Sequence, residues 1–192
     1  MSVSILEPMN AVSTNKTTCP YPLLQNLGNA SLYTDEIHAI QHVKLFEDFT
    51  KEEVEALCRF MTCYAAPSSF RLIKEGDEGD FLILLLTGKV AVHKRVEDKN
   101  KLALDENLQL SIAEPGMSLG EMSLIDGAPR FASCDTIVPV DFAVLNRASL
   151  NTILVQMPRL GNKLLLVLLQ LMTIRLRNTS ELLLPNASMP LV

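Results

Sequence analysis

Residues 66–147 predict a mainly β fold, an antiparallel sandwich or barrel, and the segments on either side predict flanking helices. Three observations carry this. Short apolar runs follow one another at close spacing: Phe70–Lys74, Phe81–Thr87, Val90–Val96, Leu108–Ala113, Ser133–Pro139 and Asp141–Leu145. Six of the eight glycines (76, 79, 88, 116, 120 and 127) punctuate the joints between these runs. Beyond Pro158, apolar residues change to a helical period.

The elements follow in order. Residues 1–34, rich in Ser, Thr, Asn and Pro, read as a flexible leader. Residues 35–65 read as helical. Thr50 followed by Glu53 is a capping box, in which hydroxyl and carboxylate satisfy orphan amides of the first turn. Val54, Leu57, Met61 and Tyr64 recur at helical spacing behind it. After the β zone, residues 149–184 return to helix, with Pro158 tolerated in a first turn. Leu160, Leu164, Val167, Leu171 and Ile174 form one apolar stripe, and Leu165, Leu169, Met172 and Leu176 form another. Lys163, Gln170 and Arg177 lie between them. Two stripes need two surfaces, the β zone and a second copy of the helix; one wide stripe against a large core is the other reading. Residues 185–192 read as a tail.

The 192 residues favour one domain, here 35–184, and 48% apolar content is enough for a sizeable core. A formal net charge of −5 argues against a nucleic-acid binder, whose affinity comes from neutralising phosphates. No apolar run reaches the roughly 18 residues of a membrane span. The N-terminus, MSVSILEPMN, has no basic leader ahead of an apolar block. Four cysteines (19, 58, 63 and 134) without a CxxC pair read as reduced thiols, so a cytoplasmic location is expected. His38 and His42 are four apart, but no HExxH pattern surrounds them. Neither a metal site nor a catalytic constellation is predicted, and no cofactor or enzymatic activity is expected.

The segment from Glu114 to Arg130 carries the chemistry. Gly120 and Glu121 open one apolar helical turn, Met122–Ile125, closed by Asp126-Gly127; Arg130 follows Pro129. Glycine before a helix start lets backbone approach an anion closely. An arginine nine residues after the glutamate can return to the same pocket and grip a phosphate with two donors. Glu121 can accept from a sugar hydroxyl. The group suits a ligand with one phosphate and one ribose; a Glu–Arg surface pair beside a turn has the same spacing.

Leu119-Gly-Glu-Met-Ser-Leu, continued by Ala-Pro-Arg-Phe-Ala-Ser133, resembles the phosphate-binding cassette of the cyclic nucleotide-binding domain family, of catabolite activator protein and protein kinase A regulatory subunit type. Glu75-Gly-Asp-Glu-Gly-Asp80, the run Phe81–Thr87 with Gly88, the Pro115-Gly116 turn and the exit through Val144-Leu145 resemble that family in the same order, over roughly residues 45–180. The resemblance implies an antiparallel β-roll (a double-stranded β-helix of jelly-roll type) with helices before it and a long helix after it. It implies a cyclic nucleotide, cAMP or cGMP, as ligand. Arg130 would pair with the cyclic phosphate and Glu121 would hold the ribose 2′-hydroxyl. Backbone around Gly120, Met122, Ser123, Phe131 and Ala132 would complete the shell. The last helix would act as a lid over the base, with Thr173, Arg175, Asn178 and Thr179 as contacts.

Phe131 departs from the family, which usually has a small or hydroxylated residue after the arginine. A ring there is expected either to fill the pocket or to stack on a purine. Ser123 and Ile83 are milder departures. About fifteen residues follow the core of the lid helix, too few for a helix-turn-helix. The expectation is therefore a stand-alone, non-catalytic sensor without direct nucleic-acid or membrane contact, acting as a homodimer through residues 158–184 or through an effector protein. A jelly-roll scaffold that has lost its ligand is the alternative.

Overall fold

The computed structural model describes residues 20–33, Ile37, 45–96 and 106–183. Strand β1 (Gln25–Asn29) runs into a 3₁₀ turn (Ala30–Tyr33), and α1 (Lys51–Cys58) leads into the sheets. Then come β2 (Thr62–Ala66), β3 (Arg71–Ile73), β4 (Phe81–Leu85), β5 (Val90–Val96), β6 (Glu106–Ala113) and β7 (Ser118–Leu119). A short helix α2 (Glu121–Asp126) precedes β8 (Ser133–Thr136) and β9 (Val140–Asn146), and α3 (Arg147–Gln156) and α4 (Pro158–Leu183) close the chain. One sheet has the order β1-β2-β9-β4-β7 and the other β3-β8-β5-β6. Every pairing is antiparallel. This is a mainly β roll with flanking helices.

Alternation along β4 explains the architecture. Ile83 and Leu85 point between the two sheets and pack with Tyr64, Val90, Cys134 and Phe142. Leu82 and Leu84 point to the other face, where Leu57, Leu150, Ile153, Leu164 and Leu168 of the helices cover them. A strand buried on both faces reads as an unbroken apolar run, as Phe81–Leu86 does. The helices are locally encoded as well. Thr50 Oγ1 accepts from the Glu53 amide, and Glu53 Oε2 accepts from the Thr50 amide. Asn146 Oδ1 accepts from the Ser149 amide at the start of α3.

Several sequence expectations need correction. Residues 20–33 are not part of a leader: β1 pairs with β2, Gln25 opposite Ala65 and Asn29 opposite Thr62, and Tyr21 is buried. The helical zone does not extend to 65. Helix α1 ends at Cys58 and the chain turns through Phe60 and Met61, whose amides donate to Leu57 O and Cys58 O. Tyr64 therefore belongs to a strand, and it faces inward by alternation with Ala66. The β zone thus begins at Thr62, and the first helix after it begins at Arg147. The two-residue strand β7 has no counterpart among the predicted runs. Residues 1–19, 34–36 and 38–44, with His38 and His42, and residues 97–105 and 184–192 lie outside the described residues, so the expectations for 1–19 and 185–192 fall there.

Candidate functional site

Arg130 lies on the loop that joins α2 to β8 and turns into the roll, with only 4% of its surface exposed. Its backbone is clamped by the β3–β4 loop: its amide donates to Asp77 O at 2.9 Å, and its carbonyl accepts from the Gly76 amide at 2.9 Å. Nη1 donates to both Phe81 O and Gly120 O at 2.8 Å, and Cζ stands 4.2 Å from the Phe81 ring centroid. Two glycines make room for the guanidinium. A Cβ at Gly79 would stand 2.1 Å from Arg130 Nε, and one at Gly120 would stand 2.4 Å from Nη1. Gly120 is also left-handed (φ 78°), a conformation open to glycine. Burial pulls the Arg130 pKa below the ordinary arginine value, yet an arginine remains charged at neutral pH. Its Nη2 is buried without a hydrogen-bond partner.

Glu121, the first residue of α2, is 1% exposed. Its Oε1 accepts from Arg175 Nη1 of α4, and its Oε2 is buried without a partner. Arg175 Nη2 also donates to Ser118 O at 2.6 Å. The Ser118 hydroxyl is a third buried polar atom without a partner. A buried donor or acceptor left unsatisfied costs about 1–3 kcal/mol, and more when charged. These atoms lie on β7, on the short helix after it and on the loop that follows, and buried groups left unpaired in this way mark a place fit to receive a polar molecule.

The remaining predicted residues distribute as follows. Ser123 is buried, and its carbonyl accepts from Arg147 Nη2. Met122 is exposed, and Ala132 is partly so. Phe131 does not fill the space beside the Arg130 guanidinium. Its ring is 53% exposed and lies under Lys94 Nζ, 4.2 Å from the centroid. Lys94 Nζ also donates to Phe131 O at 2.8 Å and to Glu75 Oε1 at 2.9 Å. The Arg95 amide and Lys94 together hold the Glu75 carboxyl below the usual range. Neighbouring side chains diverge here because Arg130 turns inward. Of the lid candidates, Arg175 meets the cassette. Thr173 is exposed and donates its hydroxyl to Leu169 O in its own helix, Asn178 is exposed, and the side chain of Thr179 lies outside the described residues.

Sequence reasoning missed Phe81, Ser118 and Tyr21. Phe81 carried a signal as the aromatic following the Gly79-Asp80 turn; Ser118 and Tyr21 carried none. Among the described residues no group of three His, Cys, Asp or Glu side chains could hold a metal, and no helix is long and apolar enough to cross a membrane.

A helix-flanked β-roll that buries an arginine and a glutamate beside a glycine-opened helical turn is the architecture of a cyclic nucleotide-binding domain. The cyclic nucleotide-binding domain profile matches residues 68–157. A crystal structure of a cyclic nucleotide-binding domain from Methylobacillus flagellatus KT is 45% identical, with a TM-score of 0.76 over 90% of this chain and 94% of that one. This chain belongs to the cyclic nucleotide-binding domain family. A CRP-like cAMP-activated global transcriptional regulator of Mycobacterium tuberculosis is 31% identical over 147 residues, 77% of this chain and 60% of that protein. The Thermus thermophilus catabolite activator protein matches with a TM-score of 0.63 at 25% identity, over 73% of this chain and 61% of that one. The chain thus spans about 60% of the length of the curated relatives it matches first.

Proposed function

We propose that this chain is a non-catalytic regulatory module that binds a 3′,5′-cyclic nucleotide, cAMP or cGMP, and changes the placement of α4 in response. The observation that carries the reading is the pair of buried, unpartnered atoms Arg130 Nη2 and Glu121 Oε2. An equatorial phosphate oxygen satisfies the first and a ribose 2′-hydroxyl the second, with backbone around Gly120, Met122 and Ser123 completing the phosphate shell. Glu121 is at present held by Arg175. A ribose hydroxyl competes with that guanidinium, so ligand and helix placement are linked through one carboxylate. The ligand shifts α4 only by its differential affinity for the two placements.

The apolar stripe Leu165, Leu169, Met172 and Leu176 supports a homodimer through α4, because Leu169 and Leu176 are exposed in the single chain. The cytoplasmic setting expected from the sequence, and a link to an effector, belong to this proposal too.

Calorimetry with cAMP and cGMP tests the reading. Arg130→Ala should weaken binding by about 2–5 kcal/mol, on the order of 30-fold to several thousand-fold in Kd. Unchanged affinity in that variant would overturn the assignment. A ligand-free scaffold is the second reading, favoured by the way Arg175 already satisfies Glu121 Oε1. Absence of any thermal shift at millimolar cAMP or cGMP would select it, since a ligand that prefers the folded state raises the melting temperature.

A further inference from the structure

We propose that Tyr21 is a positioning residue for Arg130, so that the N-terminal segment completes a site otherwise housed in the β-roll. The inference rests on the reading that Arg130 receives the ligand phosphate, and it goes beyond that reading by adding a residue from outside the segment matched by the family, 68–157.

Tyr21 precedes β1, yet its ring lies between the two sheets. It meets the rings of Phe142 at 5.2 Å, Tyr64 at 5.5 Å and Phe81 at 5.6 Å, all edge to face. Its hydroxyl donates to Leu72 O at 2.8 Å, which satisfies the one polar atom of a buried phenol. Phe81 is the other half of the relay. Its ring is the platform 4.2 Å beneath the Arg130 guanidinium, and its carbonyl accepts from Arg130 Nη1. Leu72 is adjacent to Ile73, whose Cδ1 would stand 3.0 Å from a Cβ at Gly120. Tyr21 therefore backs the Phe81 wall of the guanidinium through its ring edge, while its hydroxyl only satisfies itself on the β3 backbone. Burial raises the Tyr21 pKa and the Arg130 charge opposes that rise, as expected for neighbours.

The geometry also predicts which part of Tyr21 matters. The ring touches Phe81, whereas the hydroxyl reaches only Leu72. Phenylalanine at position 21 should keep Arg130 in place, and an aliphatic side chain of similar bulk should not.

The experiment has two arms. In ligand-free, ¹⁵N-labelled protein the Arg130 Nε–H resonance is assigned by its loss in Arg130→Lys, and its hydrogen exchange is measured. Tyr21→Leu should speed that exchange at least tenfold, Tyr21→Phe less than twofold, and the Arg147 Nε–H should not change in either. Tyr21→Met is run beside Tyr21→Leu so that one folded aliphatic variant is in hand. Exchange at Arg130 within twofold of wild type in the aliphatic variant would overturn the proposal. In the second arm, calorimetry with cAMP compares Tyr21→Leu in the wild-type and Arg130→Lys backgrounds. A positioning role gives a loss of tenfold or more in the first and less than twofold in the second. Equal losses in both would mean that Tyr21 acts on stability alone, and the proposal fails. If the wild-type protein binds no cyclic nucleotide, the ligand reading falls, while the exchange arm still decides whether Tyr21 holds Arg130.

Discussion

The two halves of α4 are held by different forces. The N-terminal half is fixed by burial. Leu160, Leu164, Val167 and Leu168 are inside the core shared with the five-stranded sheet, and each such side chain contributes about 1.5–3 kcal/mol. Lys163 adds a salt bridge to Glu53 of α1 at 2.5 Å and stands 4.6 Å over the Phe49 ring. The C-terminal half exposes Ile174 and Leu176, and it reaches the cassette through the partly exposed Arg175. A charge-assisted contact of that kind contributes a few kcal/mol at most, and less where water screens it. Arg175 lies twelve residues, or about 18 Å, beyond Lys163. The difference teaches that one helix can be anchored by core burial at one end and by a few polar contacts at the other, and here the second end is the one at the candidate site.

Four substitutions test this contrast, in falling order of effect. Leu164→Ala should lower stability by about 2–5 kcal/mol in urea melts, because the cavity it leaves cannot collapse fully against the sheet; a loss below about 1 kcal/mol would mean that the N-terminal half is not anchored by burial. Leu169→Glu acts on the other apolar stripe. Light scattering at about 50 µM should show a dimer in the wild type and a monomer in the variant, and a monomeric wild type would remove the dimer. Arg175→Gln should cost about 1–3 kcal/mol of stability, because it leaves the buried Glu121 carboxylate without its cation. It should tighten cyclic nucleotide binding by up to roughly tenfold, because Glu121 is then released to the ribose; weaker binding would show that Arg175 assists the ligand instead of competing with it. Lys163→Met has the smallest effect, and it is visible in the pH dependence. Lys163 first, and the Thr50 amide second, hold the Glu53 carboxyl below the usual range. A depressed carboxyl adds stability above its unfolded pKa and loses it as pH falls through the folded one. The acid limb of the stability curve should flatten in Lys163→Met, and an unchanged limb would show that the salt bridge adds nothing.

Much of this was legible along the chain. The spacing of Gly120, Glu121 and Arg130, the Thr50–Glu53 capping box, the β runs and the stripes of α4 all depend on near neighbours. The failures are equally instructive. Tyr64 falls at helical spacing behind Val54, Leu57 and Met61, yet pairing of β2 with β1 and β9 overrides that coincidence. Strand β1 lies in a polar segment with no alternating pattern, because its partner across the sheet, and not its own composition, stabilises it. Phe131 stands beside Arg130 in the chain, but Arg130 turns into the roll whereas the exposed Phe131 ring lies under Lys94.

The sequence by itself determined the periods, the caps and the order of the cassette residues, since these depend on groups a few positions apart. Only the tertiary structure decided that Arg175 rather than Thr173 meets Glu121, that Gly79 yields its space to Arg130, and that Tyr21 backs Phe81. These are contacts between groups far apart in the chain, and their existence depends on how two sheets and a helix close around one another, which no local pattern encodes.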